Sequence, residues 1–120
     1  MPETVDLRAL PYALDDEQHA WVEQTLAGLE VEEKVGQLFF NLFHFGEDTF
    51  SGNVGSNAEI LEKYGIGGAR YHGGTAAQVQ ELINSLQATS RIPLLVAANC
   101  ESGGNGACTK IPSIANSEGR

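Results

Sequence analysis

The sequence predicts an α/β fold with a parallel sheet, in the order helix, helix, then β-α-β-α-β. Helical patterns, with apolar residues three or four positions apart, alternate along the chain with short apolar runs. The last run, residues 94–98, is apolar on both faces, as a strand covered by helices on both sides has to be. Such alternation implies parallel strands joined by right-handed crossovers.

Composition limits the size of the fold and the kinds of partner. The 120 residues amount to one domain at most, and 42% of hydrophobic residues suffice for a packed core. The net charge of −9 argues against a nucleic-acid partner, which needs a basic surface. Residues 1–10 lack the pattern of a secretory signal, and no run approaches the ~20 apolar residues of a membrane span. We therefore expect a cytoplasmic protein with no nucleic-acid and no membrane partner, while its oligomeric state stays unknown.

Two helices are predicted after an extended lead-in over residues 1–14, where Pro2 and Pro11 disfavour helix. The first helix begins at Asp15 or Asp16, because either side chain can cap it. Its apolar residues are spaced by four and then three positions and are Val22, Leu26 and Leu29. A second, short helix repeats that spacing with Val31, Val35 and Leu38.

The hydrophobic period then changes. Residues 38–43 form a short apolar and aromatic run, which predicts a buried strand, and residues 44–55 form a loop. Ser56 and Glu59 have the spacing of a capping box, so a short helix begins there and is expected to end near Gly65. Residues 68–72 are the candidate second strand.

The next helix has a clear pattern at both ends. Thr75 and Gln78 form another capping box, and the apolar stripe behind them consists of Val79, Leu82, Ile83 and Leu86. Pro93 closes this helix because the residue before a proline is pushed out of α geometry. The third strand covers residues 94–98, and residues 99–120 are a loop and tail rich in Gly, Ser and Asn.

A ligand site is expected outside the carboxyl ends of the strands, as in other parallel α/β folds. Three loops lie at such ends, namely residues 44–51, 71–75 and 99–106. The third is the most informative: Gly103 and Gly104 let the backbone approach a ligand, and Asn99 and Glu101 offer polar groups at the strand tip. An ordinary loop whose Glu101 faces water explains the same residues, and that alternative stays open.

Other chemistries have less support in the sequence. The glycine-rich stretches do not fit a phosphate-binding motif, so nucleotide binding is a minor alternative. His44 and His72 follow predicted strands and could line a cleft, whereas His19 lies among acidic residues and is expected at the surface. Cys100 and Cys108, without a second pair or suitable histidines, predict neither a zinc site nor a disulfide framework. We expect no metal and no cofactor.

Four motifs, in their order along the chain, resemble glycoside hydrolase family 3. Residues 31–38, VEEKVGQL, resemble the LEEKVGQL opening of that family's catalytic domains, and residues 67–71, GGARY, lie where the family has a GGVI strand. Residues 77–87 resemble its following helix, and residues 92–97, IPLLVA, match its IPLLVA strand. The resemblance as a whole extends over roughly residues 29–106.

The resemblance implies that residues 1–120 are the N-terminal part of a (β/α)8 TIM-type barrel, which takes ~250 residues when complete. The family hydrolyses terminal β-linked sugars with retention, through a covalent glycosyl–enzyme. Its nucleophile is an aspartate late in the barrel, and in the N-acetylglucosaminidase branch the proton donor is a mid-barrel histidine. No position here matches either motif, so we expect no catalytic residue within this chain and no activity from the chain alone.

The resemblance also implies the substrate-binding residues. At the tip of the third strand the family commonly has an aspartate that binds sugar hydroxyls, as in VDQEGG. Asn99 takes that place here and Glu101 follows, with Gly103 and Gly104 one residue later than usual. Independently of the resemblance, Arg70 and His72 are weaker candidates at the second strand. The E-x-G-G pattern favours an N-acetyl-β-glucosaminidase over a β-glucosidase, whose loop more often reads DAVHG, and the expected partner is a carbohydrate. The alternative is a non-catalytic carbohydrate-binding or interaction module derived from the barrel start.

Overall fold

The computed structural model describes residues 5–43, 45, 55–71, 73–101 and 103–109. Within them the elements follow each other in the predicted order. They are α1 (Asp16–Ala27), α2 (Val31–Gly36), β1 (Phe40–Phe43), α3 (Asn57–Tyr64), β2 (Gly68–Tyr71), α4 (Ala76–Thr89), β3 (Leu95–Ala97) and a 3₁₀ turn (Gly104–Gly106). The predicted α/β fold, helix, helix and then β-α-β-α-β, is confirmed.

The sheet is parallel throughout, with the strands in the order β1-β2-β3. Its register pairs Phe43 with Tyr71, Leu42 with Arg70, and Arg70 with Ala97. Because side chains alternate along a strand, the first pair lies on one face of the sheet and the other three residues lie on the opposite face. We call the face of Phe43 and Tyr71 the helix face, and the face of Leu42, Arg70 and Ala97 the open face.

The hydrophobic core lies between the helix face and helices α3 and α4. Phe43, which is 1% exposed, is the largest fully buried side chain of the described residues. The side chains clustered with it are also buried, namely Ile60, Leu61, Ile66, Ala69, Tyr71, Val79, Leu82, Leu86 and Leu94. The stripe predicted for α4 therefore packs against the sheet, with Ile83 half-buried at its margin.

Local capping explains where α3 and α4 begin and end. The Ser56 hydroxyl accepts the Glu59 N–H at 3.3 Å, and the Glu59 carboxylate accepts the Ser56 N–H at 2.6 Å. Thr75 and Gln78 form the same reciprocal pair at the start of α4, as predicted. Helix α3 ends at Gly65, whose φ of 55° lies in the left-handed region that favours glycine.

Side chains near the amino ends of the strands tie β3 to the rest of the fold. The Gln87 amide accepts the Leu94 N–H at 2.9 Å and donates to the Leu94 carbonyl at 3.0 Å. Arg91 pairs with Glu33 of α2 at 2.9 Å and donates to the Gly28 carbonyl at 3.2 Å. These contacts fix the start of β3, and through it the position of the loop that follows the strand.

The lead-in differs from the extended segment expected over residues 1–14. Residues 7–12 form successive turns, since proline excludes a helix but suits a turn. The Asp6 carboxylate accepts the Arg8 N–H at 3.0 Å, and the Arg8 guanidinium pairs with Asp16 in the first turn of α1. Asp15 is the residue that caps α1.

Strand β1 is shorter than the buried strand expected over residues 38–43. Leu38 and Phe39 continue the turn after α2, because their N–H groups donate to the Val35 and Gly36 carbonyls at 3.0 Å. Within β1 itself Phe43 is the buried residue, and the other three side chains are half-buried or exposed.

Strand β3 is also more exposed than a strand covered on both faces. Leu95 is 67% exposed and Val96 is 42% exposed. The strand forms one edge of the described sheet and β1 forms the other, while α3 and α4 pack on the helix face alone. Both sheet edges and the open face therefore present apolar side chains to solvent.

Candidate functional site

Two predicted site residues, Asn99 and Arg70, lie near the carboxyl ends of neighbouring strands. Asn99 lies two residues beyond Ala97, and Ala98 between them packs against the core. Asn99 therefore lies at the carboxyl end of β3. Arg70 is in register with Ala97 and lies on the open face, and both Arg70 and Asn99 are exposed. Glu101 follows in a turn and is exposed as well.

The loop after β3 folds tightly against the end of its own strand. The Gly103 N–H donates to the Cys100 carbonyl at 3.1 Å, and the 3₁₀ turn Gly104–Gly106 follows. A Cβ at Gly106 would lie 1.3 Å from the Asn99 carbonyl oxygen, so this approach requires glycine. The loop thereby holds the backbone of Asn99, and with it the starting point of the Asn99 side chain.

The chain then meets the loops that follow the other two strands. Gly74 and Cys108 form an isolated parallel bridge, and the Thr109 N–H donates to the Gly74 carbonyl at 2.7 Å. The ring of Phe45 covers Gly74 and packs edge-on against Tyr71, with 6.3 Å between the ring centroids. Residues that follow β1, β2 and β3 thus contact one another at the carboxyl end of the sheet.

Arg70 provides a positive charge on the open face. Arg8 and Arg91, the other arginines in the part of the chain described, both pair with carboxylates. Arg70 forms no ion pair or hydrogen bond with any residue that the structure describes. Its N–H donors are therefore available to hydroxyl or anionic oxygens of a ligand on this face.

Tyr71 is the last residue of β2, lies on the helix face and is buried. Burial raises the pKa of its phenol above the usual 10.0, and Coulombic repulsion from Cys108 and Cys100 raises the pKa further. Cys108 packs against the core cluster that contains Tyr71. The sequence did not predict this contact, because it forms only where loops from two strands meet.

The raised pKa of Tyr71 predicts a loss of stability at alkaline pH. The folded state favours the neutral phenol, so this contribution is fully present below pH 10.0 and is lost as the pH rises through the folded-state pKa. Tyr71→Phe has no phenol to ionise and should lose less stability over the same range. Urea unfolding of both proteins from pH 8 to about 11 measures the difference, and parallel curves would contradict the prediction.

Two cavities beside the sheet open at the opposite end, near the amino ends of the strands. One of about 220 Å³ is lined by residues that include Leu29, Gln37 and Arg91. The other, of about 530 Å³, follows the free edge of β1 past Phe39 and Tyr64. In barrels that end contributes to stability and the carboxyl end binds ligands, so we place the candidate site at the carboxyl end.

Comparison with known proteins agrees with the motif order. No family model matches the chain. A beta-N-acetylglucosaminidase/beta-glucosidase of Cellulomonas fimi is 35% identical over 99 residues, which are 82% of this chain and 16% of that protein. The solved structure of beta-glucoside phosphorylase BglX is similar, with a TM-score of 0.66 and 34% identity over 85% of this chain and 17% of that one. BglX bound to 2FGlc gives a TM-score of 0.68 and 33% identity over 85% and 18%.

The sequence relative and the two solved structures are each identical to this chain at about one third of the aligned residues. The chain belongs to glycoside hydrolase family 3. The family 3 resemblance is confirmed, and the three strands with their helices are a segment of the family's TIM-type barrel. This family 3 chain spans 16% to 18% of the length of the relatives that it matches.

Several of the site residues considered from sequence lie outside the described part of the chain. His72 and His44 are among them, as is the loop over residues 44–51 apart from Phe45. His19 lies half-buried on α1. In the ranges that the structure does describe, no three His, Cys, Asp or Glu side chains group as metal ligands, and no helix is long and apolar enough to cross a bilayer.

Proposed function

We propose that this family 3 chain is part of a retaining exo-β-glycosidase that hydrolyses terminal non-reducing β-linked sugars, with N-acetyl-β-glucosaminides as substrates. The observation that supports it is the group of exposed polar residues at the carboxyl end of the strands, where Asn99 follows β3 and Arg70 lies near the end of the neighbouring strand β2. A cytoplasmic location belongs to the same proposal.

Asn99 is proposed to hold the terminal sugar. Its amide both donates and accepts, so it can bind two neighbouring hydroxyls or a hydroxyl and an acetamido group. Glu101 adds an acceptor beside it, and Arg70 adds donors from the neighbouring strand. An amide lacks the charge-assisted hydrogen bond that the family's usual aspartate gives, so each contact from Asn99 is weaker than that of a carboxylate.

The bond-breaking step needs groups beyond those at this edge. A retaining enzyme places its nucleophile and its proton donor on opposite sides of the scissile bond. Among the described residues that follow the three strands, Glu101 is the one carboxylate. We therefore assign the described residues to sugar binding, and the nucleophile and the proton donor to other parts of the family 3 barrel.

The names of the relatives offer two alternatives for the sugar and two for the acceptor of the glycosyl group, water or phosphate. The Cellulomonas fimi protein is named for both N-acetylglucosaminides and glucosides, and BglX is named a phosphorylase. We favour N-acetylglucosaminides because Glu101 precedes Gly103 and Gly104 in the pattern of that branch. We favour water as the acceptor. Phosphate as the acceptor would release a sugar phosphate in place of the free sugar.

The 120-residue chain alone is expected to bind N-acetylglucosamine without turning over its glycosides. A few hydrogen bonds on an open surface correspond to a Kd of about 1 mM or weaker. Asn99→Ala should weaken binding by about tenfold, the equivalent of one or two hydrogen bonds. NMR titration with N-acetylglucosamine and with glucose measures the affinities. Aryl N-acetyl-β-glucosaminide, with and without phosphate, tests for turnover.

Asn84→Ala is the matched control for this titration. Asn84 is an exposed asparagine on α4 that bonds to Gln80, away from the carboxyl edge of the sheet. It should bind the sugar as the wild-type chain does. Equal losses in both variants, or binding of neither sugar, would count against the assignment of Asn99, and clear turnover by the chain alone would refute its inactivity.

A non-catalytic carbohydrate-binding module is the second candidate, favoured by the single carboxylate found at this edge among the described residues. Binding without turnover fits both candidates. The coding sequence after Arg120 separates them. A reading frame that continues to a mid-barrel histidine motif and a later aspartate supports the enzyme, and a stop codon supports the module.

A further inference from the structure

Two thiols lie beside the residue proposed to bind the sugar. Cys100 directly follows Asn99 and is exposed, whereas Cys108 is half-buried and packs against the core. The core cluster that Cys108 contacts includes Tyr71, the last residue of β2. Neither cysteine takes part in the binding chemistry proposed above.

The backbone between the two cysteines doubles back on itself. The Gly103 N–H donates to the Cys100 carbonyl at 3.1 Å, and the Cys108 N–H donates to the Gly104 carbonyl at 2.9 Å. A Cβ at Gly106 would lie 3.3 Å from the Cys100 nitrogen, so the chain has returned to Cys100 two residues before Cys108. Both cysteines therefore lie at the same corner of the sheet.

We propose that Cys100 and Cys108 form a reversible intrachain disulfide, which makes the pair a site of oxidative modification at the carboxyl edge of the sheet. The oxidant would be a small disulfide such as glutathione disulfide. The pairing does not depend on the proposed function, because the oxidation state of the two cysteines can be measured without any sugar or glycosidase assay.

The exchange takes place in two steps. The exposed Cys100 thiolate attacks one sulfur of glutathione disulfide, so that a mixed disulfide forms and one glutathione thiolate leaves. The Cys108 thiolate then attacks the Cys100 sulfur, the protein disulfide forms, and the second glutathione leaves. The two cysteines lose two electrons and two protons, and glutathione disulfide is reduced to two molecules of glutathione.

Intact-mass measurement on the purified 120-residue chain tests the pairing. The reduced chain is incubated with excess glutathione disulfide, and the remaining thiols are alkylated with iodoacetamide. The expected product is lighter than the reduced chain by two hydrogens and has neither glutathione nor alkyl groups attached. Cys100→Ser and Cys108→Ser should each stop at a single glutathione adduct. A wild-type chain that ends with two glutathiones, or as a disulfide-linked dimer, would overturn the proposal.

The equilibrium constant for disulfide formation is then measured in glutathione redox buffers with and without urea. This comparison shows whether the fold pairs the thiols or whether the short loop between them closes equally well in the unfolded chain. Because the fold brings the thiols to one corner, the folded chain should favour the disulfide by about tenfold or more over the unfolded chain. The same equilibrium constant in both states would show that the fold does not pair the thiols, and the proposal would fail.

Discussion

Replacing Phe43 with alanine is expected to lower the free energy of unfolding by about 3–5 kcal/mol. Phe43 is 1% exposed and lies in the core cluster on the helix face. Truncation removes the apolar contacts of the ring and leaves a cavity that its neighbours fill only in part. Domains are stable by only about 5–15 kcal/mol, so the loss should shift the urea midpoint strongly. Equilibrium urea unfolding followed by circular dichroism measures it.

Phe39→Ala is the matched control because it deletes the same ring close by in the chain. Phe39 is 59% exposed and lies in the turn before β1, where little of its surface is removed from water. We expect a change below about 1 kcal/mol. Similar losses in the two variants would contradict a core that lies between the helix face and helices α3 and α4.

The parts of the fold that depend on near neighbours in sequence could be predicted. The capping pairs that begin α3 and α4 join residues three positions apart, and the stripe of α4 repeats every three or four. The end of α3 at Gly65 follows from a conformation that glycine adopts without strain. All of these interactions lie within one turn of helix, so the local sequence specifies them.

The coverage of apolar faces could not be predicted in the same way. Val31, Val35 and Leu38 have the spacing of a buried stripe, yet they are 68%, 48% and 82% exposed. Leu95 and Val96 of β3 behave likewise. An apolar pattern shows which side chains favour burial and does not show which elements cover them. In a closed barrel, the other strands and helices cover such faces.

The location of the candidate site stays a prediction, and its internal contacts could not be predicted from the sequence. The rule that ligands bind at the carboxyl ends of parallel strands points to Asn99 and Glu101 from the order of elements alone. The glycines after β3 indicated a close backbone approach, but the partner of Gly106, the Asn99 carbonyl, emerges only in three dimensions. The bridge between Gly74 and Cys108 likewise joins loops that are distant in the sequence.

The 120-residue chain is expected to self-associate in solution. Its sheet has two free edges, and exposed apolar residues such as Phe40 and Leu95 lie on the open face. A second copy can cover this surface or extend the sheet, because an unpaired strand edge is a ready template for another strand. Light scattering should show an average mass that rises with protein concentration. A monomer that melts cooperatively across that range would refute the prediction.

Leu95→Lys is expected to weaken this association by about tenfold to a hundredfold. Covering Leu95 contributes roughly 1.5–3 kcal/mol, and a buried lysine without a partner adds a further cost. Lysine also makes the net charge of −9 less negative, so a weaker association could not be attributed to greater repulsion between chains. Val5→Lys makes the same charge change at a residue that is 66% exposed and lies before the first helix. It should associate as the wild-type chain does, since Val5 lies outside the sheet and belongs neither to the open face nor to a free strand edge.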